Sequence, residues 1–159
     1  MKIQKVILKE LEVIEVDGEF ESRFINEQKY PAFLTNYAVK RGFDEGFIDS
    51  SLWEDLIKVR GLQSVVNEMK EDDVDEEKGL QLMGAFDEQK LIAIIYLAVI
   101  GANKKLQLSF DDFLEKYHYS LPETIELYAM LFTDLVSSNP NQFANELQNA
   151  AKKNKKTNQ

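Results

Sequence analysis

Leu11-Glu12-Val13-Ile14-Glu15-Val16-Asp17-Gly18-Glu19-Phe20 is the stretch on which the fold class turns. Leu11, Val13, Ile14 and Val16 favour extended backbone, and Phe20 and Phe24 follow on the far side of Asp17-Gly18. Asp-Gly between two such runs marks a tight hairpin, because a type I′ turn needs positive φ at both central residues. The pattern predicts an antiparallel hairpin over roughly residues 3–26. Leu11 and Val13 point one way and Ile14 and Val16 the other, so the strand is apolar on both faces or changes phase at a bulge. A lone two-stranded hairpin is marginal in water and has to pack on something.

Outward from the hairpin the apolar period becomes helical. Tyr30, Phe33, Leu34, Tyr37 and Ala38 recur at helical spacing, with Pro31 suited to a first turn and Gly42 to a stop. Ser50 or Ser51 can cap a helix carrying Leu52, Trp53, Leu56 and Ile57, and a weaker one runs from Leu62 to Met69. Asp87 opens an apolar helix from Glu88 to Gly101. Leu91 to Ala102 is uncharged for twelve residues, too short for a bilayer, which needs about 20. That run reads as a buried central helix. Ser109 begins a capping box in which Asp112 replaces the usual Glu or Gln, and a short helix reaches Tyr117. Ser120 caps the next, with Pro122 in its first turn and Leu121, Ile125, Tyr128, Phe132 and Leu135 on one stripe. Leu127 and Leu131 widen the stripe, so this helix touches neighbours on two sides. Asn139-Pro140 starts a last helix with Phe143, Leu147, Ala150 and Ala151 on a narrow face. The fold class is therefore α+β, an N-terminal antiparallel β-hairpin followed by a mainly α-helical bundle of six or seven helices.

Six acids in seven residues from Glu71 to Glu77 repel one another and read as an exposed linker. They divide a hairpin-plus-helices region, 1–70, from a helical part, 79–151, with the linker at 71–78 and a flexible Lys-rich tail at 152–159. The whole chain has 159 residues and a net charge of −9, which argues against binding through phosphates. No cysteine is present, so disulfides, thiolate zinc sites and cysteine nucleophiles are excluded. A reducing cytoplasm suits that composition. The N-terminal residues offer no continuous apolar signal core.

Catalytic templates lack parts. His118 is the one histidine, so one chain cannot assemble a histidine-rich metal shell. Lying between Tyr117 and Tyr119 at a helix end, it reads as a cap or a surface-packing residue. Gly79 and Gly84 have phosphate-loop spacing, but Ala85 and Phe86 stand where Lys and Ser or Thr are needed. Asp73 and Asp75 resemble a calcium loop whose sixth and twelfth positions, Lys78 and Gly84, break the pattern. Asp111-Asp112 reads as helix capping. The aromatic stripe Tyr30, Phe33 and Tyr37 reads as core. No catalytic, metal or cofactor site is expected. Binding remains, and the candidate partner-binding residues are Phe143, Leu147 and Ala151 on the last helix.

Three elements carry a resemblance. Leu91 to Asn103, Leu108-Ser109-Phe110-Asp111-Asp112-Phe113-Leu114 and the Leu121 to Val136 helix, after the Val16-Asp17-Gly18-Glu19 turn, resemble the tail assembly chaperones of long-tailed bacteriophages. Members of that family show a short N-terminal hairpin, an apolar helix ending in a Gly-Ala-x-Asn-like pattern and a Ser- or Thr-capped helix. The resemblance implies a non-enzymatic protein of the host cytoplasm that binds the helical tape-measure protein during tail morphogenesis. It shields the client's apolar faces until tail-tube protein replaces it. Self-association is a further partnership left open, and neither nucleic acid nor membrane is an expected partner. The competing reading is a structural head–tail connector or tail-completion protein retained in the virion.

Overall fold

The computed structural model describes residues 2–49, 77, 84 and 87–138, with side chains as far as Asp134. The expected helices around Leu52 and Val65, the last helix with Phe143, Leu147 and Ala151, the Lys-rich tail and all of the acidic run except Glu77 lie outside the described residues.

The chain begins with the hairpin, β1 (Gln4–Val16) and β2 (Glu19–Ala32), antiparallel and two-stranded. Asp17 and Gly18 both have positive φ, 53° and 82°, as the type I′ turn requires. A bulge falls between Leu8 and Glu10, which pair with Gln28 and Ile25, so Lys9 faces the pair Asn26 and Glu27. Asn26 takes the left-handed conformation at φ 51°, which asparagine tolerates better than most residues.

The second strand runs six residues further than the sequence pattern predicts. Tyr30 and Pro31 belong to β2, not to the first helix, and pair with Val6 and Lys5. Two signals compete here, proline as a first helical residue and Thr35 as an N-cap, and the cap wins. Helix α1 is Asn36–Asp44, and Thr35 Oγ1 accepts the Ala38 amide at 3.0 Å. Pro31 is tolerated because each strand of a two-stranded sheet has an open edge where a missing N–H leaves no gap in the ladder. Gly42 is likewise not the stop. It lies buried inside α1, and the turn comes at Gly46, φ 80°. A Cβ on Gly42 would lie 2.5 Å from Leu97 Cδ1 and from Ile48 Cδ1, so the missing side chain lets α1 approach the central helix.

That central helix, α2 (Glu88–Ala102), is buried at every position from Leu91 to Ile100. Asp87 caps its start as the sequence indicates. At its other end Asn103 Nδ2 donates to Val99 O at 2.7 Å and to Pro31 O at 3.0 Å, and Phe33 N donates to Ala98 O at 3.3 Å. The bonds to Pro31 O and Ala98 O tie the end of β2 to α2. Helix α3 (Phe110–Lys116) opens on the Ser109 box, with the Asp112 amide donating to Ser109 Oγ at 3.1 Å and Ser109 Oγ donating to Asp112 Oδ2 at 2.7 Å. Helix α4 (Leu121–Ser138) opens on a second box, in which Glu123 accepts from both the Ser120 amide and its hydroxyl. Ile125, Leu127, Tyr128, Leu131 and Phe132 are all buried, which is the broad stripe expected. Leu135 lies outside the residues whose side chains are described.

One core joins these pieces. Val6 and Leu8 of β1, Ala32 of β2, Leu34 and Ile48 close on α2, Phe113, Tyr117 and the buried face of α4. The described hairpin region and the described helical region thus share a single interior, in an α+β arrangement with four helices among the described residues.

An aromatic chain runs through it. Phe47, Phe110, Tyr96, Phe113, Tyr117 and Tyr119 lie in successive ring contacts of 5.0–5.5 Å, and Tyr117 donates to or accepts from Thr124 at 2.9 Å. Burial pushes the Tyr117 phenol well above its ordinary 10.0, and the Thr124 contact only partly offsets that. Tyr119 is raised for the same reason, partly offset by the Ile7 amide that donates to it. The unfolded chain therefore loses these protons first. Folding stability is fully present below about pH 10 and falls as the pH rises towards the folded values. Tyr117→Phe is expected to cost about 1 kcal/mol at neutral pH, where it strands the Thr124 hydroxyl. The cost should shrink near about pH 11, because the variant has no buried phenol to ionise. Urea unfolding at both pH values checks this, and an unchanged difference sinks it.

Candidate partner-binding surface

The burial of the hairpin stops abruptly. Gln4, Val6, Leu8 and Ala32 are buried, and no strand residue from Lys9 to Pro31 is. At about 3.4 Å per residue the part beyond the bulge extends past the core as an arm of roughly 25 Å. Its two faces differ. On one, Glu12 pairs with Arg23 directly opposite at 2.5 Å, and Glu10 accepts from Asn26 at 2.9 Å and meets Lys116 at 3.6 Å. Long charged side chains thus lie beside Ile14 and Ile25, which are half-buried.

The other face carries Leu11 and Val13 of β1 with Phe24, Ser22 and Phe20 opposite them and Glu15. The period of two in a strand puts these residues together. Their exposures are 52% for Leu11, 61% for Val13, 78% for Phe20 and 54% for Phe24. Scattered apolar residues on a surface need no explanation, but four large ones on one strand face form a patch.

At the base of this face lies a hollow of about 210 Å³ lined by Ile7, Lys9, Phe24, His118, Tyr119 and Glu123. The Phe24 and His118 rings stand 4.9 Å apart, and Lys9 Nζ lies over the Phe24 ring at 5.1 Å. Tyr119 Oη accepts the Ile7 amide at 2.8 Å, so the α3–α4 link seals the outer edge of β1 there. His118 is exposed, and it packs on the surface as its sequence position suggests.

A second hollow of about 450 Å³ opens beside the contact of α1 with the end of α2, lined by Tyr37, Ala38, Arg41, Gly101 and Lys104 among others. Arg41 pairs with Glu45 at 2.6 Å, which raises the guanidinium's pKa further. Tyr37, expected in the core, is 70% exposed, because the later start of α1 turns its helical stripe away from α2. Tyr30 and Phe33 are half-buried. Among the described residues no group of three or more His, Asp or Glu side chains is placed to hold a metal ion, and no helix is long and apolar enough to cross a membrane.

Comparison with family models, with curated proteins and with solved structures finds no match for this chain. The sequence-based candidates Phe143, Leu147 and Ala151 lie outside the described residues, whereas Leu11, Val13, Phe20 and Phe24 form the exposed apolar face of the arm. The sequence shows the apolar alternation but not how far the core reaches along it. Apolar residues at alternate positions on both sides of an Asp-Gly turn need a cover, and the chain between residues 9 and 31 supplies none within the described fold.

Proposed function

We propose that the protein is a non-enzymatic tail assembly chaperone that binds the tape-measure protein of a long-tailed phage in the host cytoplasm. The observation that carries this reading is the arm, a projecting hairpin with four large apolar side chains on an acidic body. A helical client with an apolar stripe loses its exposed surface against such a face, and the net charge of −9 keeps the complex dispersed. The hairpin with its Asp-Gly turn, the central apolar helix and the Ser109-capped helix stand in the order the family resemblance implies. Tail-tube protein then displaces the chaperone as the tail grows.

Co-expression tests the reading. With this protein present, an otherwise insoluble tape-measure protein should move to the soluble fraction, and purified particles should lack the chaperone by mass spectrometry. Phe20→Asp should return most of the client to the pellet. A client that pellets equally with and without the protein overturns the proposal.

A further inference from the structure

The apolar face of the arm carries its groups in a definite order. Along β1 it reads Lys9, Leu11, Val13, Glu15, and along β2 it reads Phe24, Ser22, Phe20. The order is a cation, two aliphatics and an anion on one strand, and a ring, a small residue and a ring on the other. A two-fold axis passing between Leu11 and Val13, at the level of the Glu12–Arg23 pair, lays β1 over β1 of a second copy in the opposite direction. Lys9 then meets Glu15 of the other copy, Leu11 meets Val13, Phe24 meets Ser22, and Phe20, which lies opposite Glu15, comes to the level of Lys9 just beyond Phe24. Every unlike pair occurs twice, as an isologous contact demands.

Two further features fit this register. Lys9 and Glu15 have no ion pair within the described part of their own chain, so both charges remain to be met across the axis. Phe20, the most exposed large apolar side chain among the described residues, stands at the tip, and the hollow beside Phe24 and His118 stands at the base of the same face. The spacing of Phe20 from Phe24 is about 14 Å at 3.4 Å per residue. The two-fold operation carries each tip ring towards the hollow of the other copy. A projecting ring and a hollow of about 210 Å³ thus complement each other twice per pair.

We infer that two copies of this chain associate through the hairpin arms, face to face and antiparallel, with Lys9–Glu15 pairs at both ends and the Phe20 ring of each seated beside Phe24 and His118 of the other. The inference does not rest on the chaperone reading. A face occupied by a copy is closed to a client, so where both bindings exist they compete.

Sedimentation equilibrium of the full chain tests it, with circular dichroism to confirm that each variant keeps its fold. The wild type should form a dimer whose dissociation constant rises with salt, because the end pairs lie at the rim. Lys9→Glu and Glu15→Lys should each weaken the dimer about tenfold, since each sets two like charges against one another. The two changes together restore opposite charges across the axis and should bring the affinity back to within about threefold of wild type. Phe20→Asp should abolish association. A chain that stays monomeric throughout the micromolar range overturns the inference. So does a dimer indifferent to Phe20→Asp, or a double charge swap no better than either single change, as pairing through the open β2 edge would give.

Discussion

Phe113→Ala should lower the stability of the protein by about 3–5 kcal/mol, while Phe20→Ala in dilute solution should change it by no more than about 0.5 kcal/mol. Both replace the same side chain, and the difference lies in where each ring sits. Phe113 is fully buried, 5.5 Å from Tyr96 and 5.3 Å from Tyr117, and joins α3 to the central helix. Removing it leaves a cavity between rings that cannot collapse without moving α3. Phe20 is 78% exposed at the hairpin tip and leaves no cavity. For a chain of this size each kcal/mol shifts the melting temperature by about 2–4 °C, so Phe113→Ala should melt roughly 6–20 °C lower. Calorimetry on both variants checks the pair. An equal loss from the two would mean that the arm packs onto the body and that the exposed face does not exist.

The contrast between those rings is also the contrast between what is readable in the sequence and what is not. The Asp17-Gly18 turn, the Asp87, Ser109 and Ser120 caps and the buried central helix are local signals, and each appears in the structure where the residues place it. Local signals fail where two of them compete. Tyr30-Pro31 could begin a helix or extend a strand, and the choice falls to the strand because Asn26 absorbs a bulge that brings Tyr30 opposite Val6. Gly42 looks like a stop, yet it is kept small by Leu97, a residue fifty-five positions away that no local pattern reveals. The arm's exposed face was hidden for the same reason. Phe20 and Phe24 are as apolar as Phe113 and Phe132, and only the extent of the core decides which are covered. Phe143 and Leu147 stand out in the sequence as a narrow apolar face, but a narrow face does not tell a docked helix from a free one.

Substitution of Gly101 should show how closely that core is set. Near the end of α2, a Cβ on Gly101 would lie 2.9 Å from Ala38 Cβ, closer than carbon atoms can approach. Unlike the Ile48 and Leu97 methyls near Gly42, Ala38 Cβ is fixed to its backbone and cannot rotate away. Either α1 moves or the contact remains strained. Gly101→Leu should therefore cost about 2–3 kcal/mol through overpacking, despite the better helix propensity of leucine. Gly101→Ala should come out closer to neutral, the propensity gain of about 1 kcal/mol offsetting much of the clash. The decisive measurement is the cycle with Ala38→Gly. That change alone weakens α1 by about 0.5–1 kcal/mol, since glycine is a poor helix former. In the Gly101→Ala background it also removes the atom that clashes, so the double variant should be more stable than the sum of the two single effects by at least about 0.5 kcal/mol. Strict additivity would mean that the helices do not touch at this pair. Coupling of the expected sign would fix α1 against α2 at Ala38 and Gly101, and with it the end of β2 that Asn103 and Phe33 tie to the same turn of α2. The base from which the arm projects is then held by two small residues and two hydrogen bonds, and the outer face of the arm takes no part in that attachment.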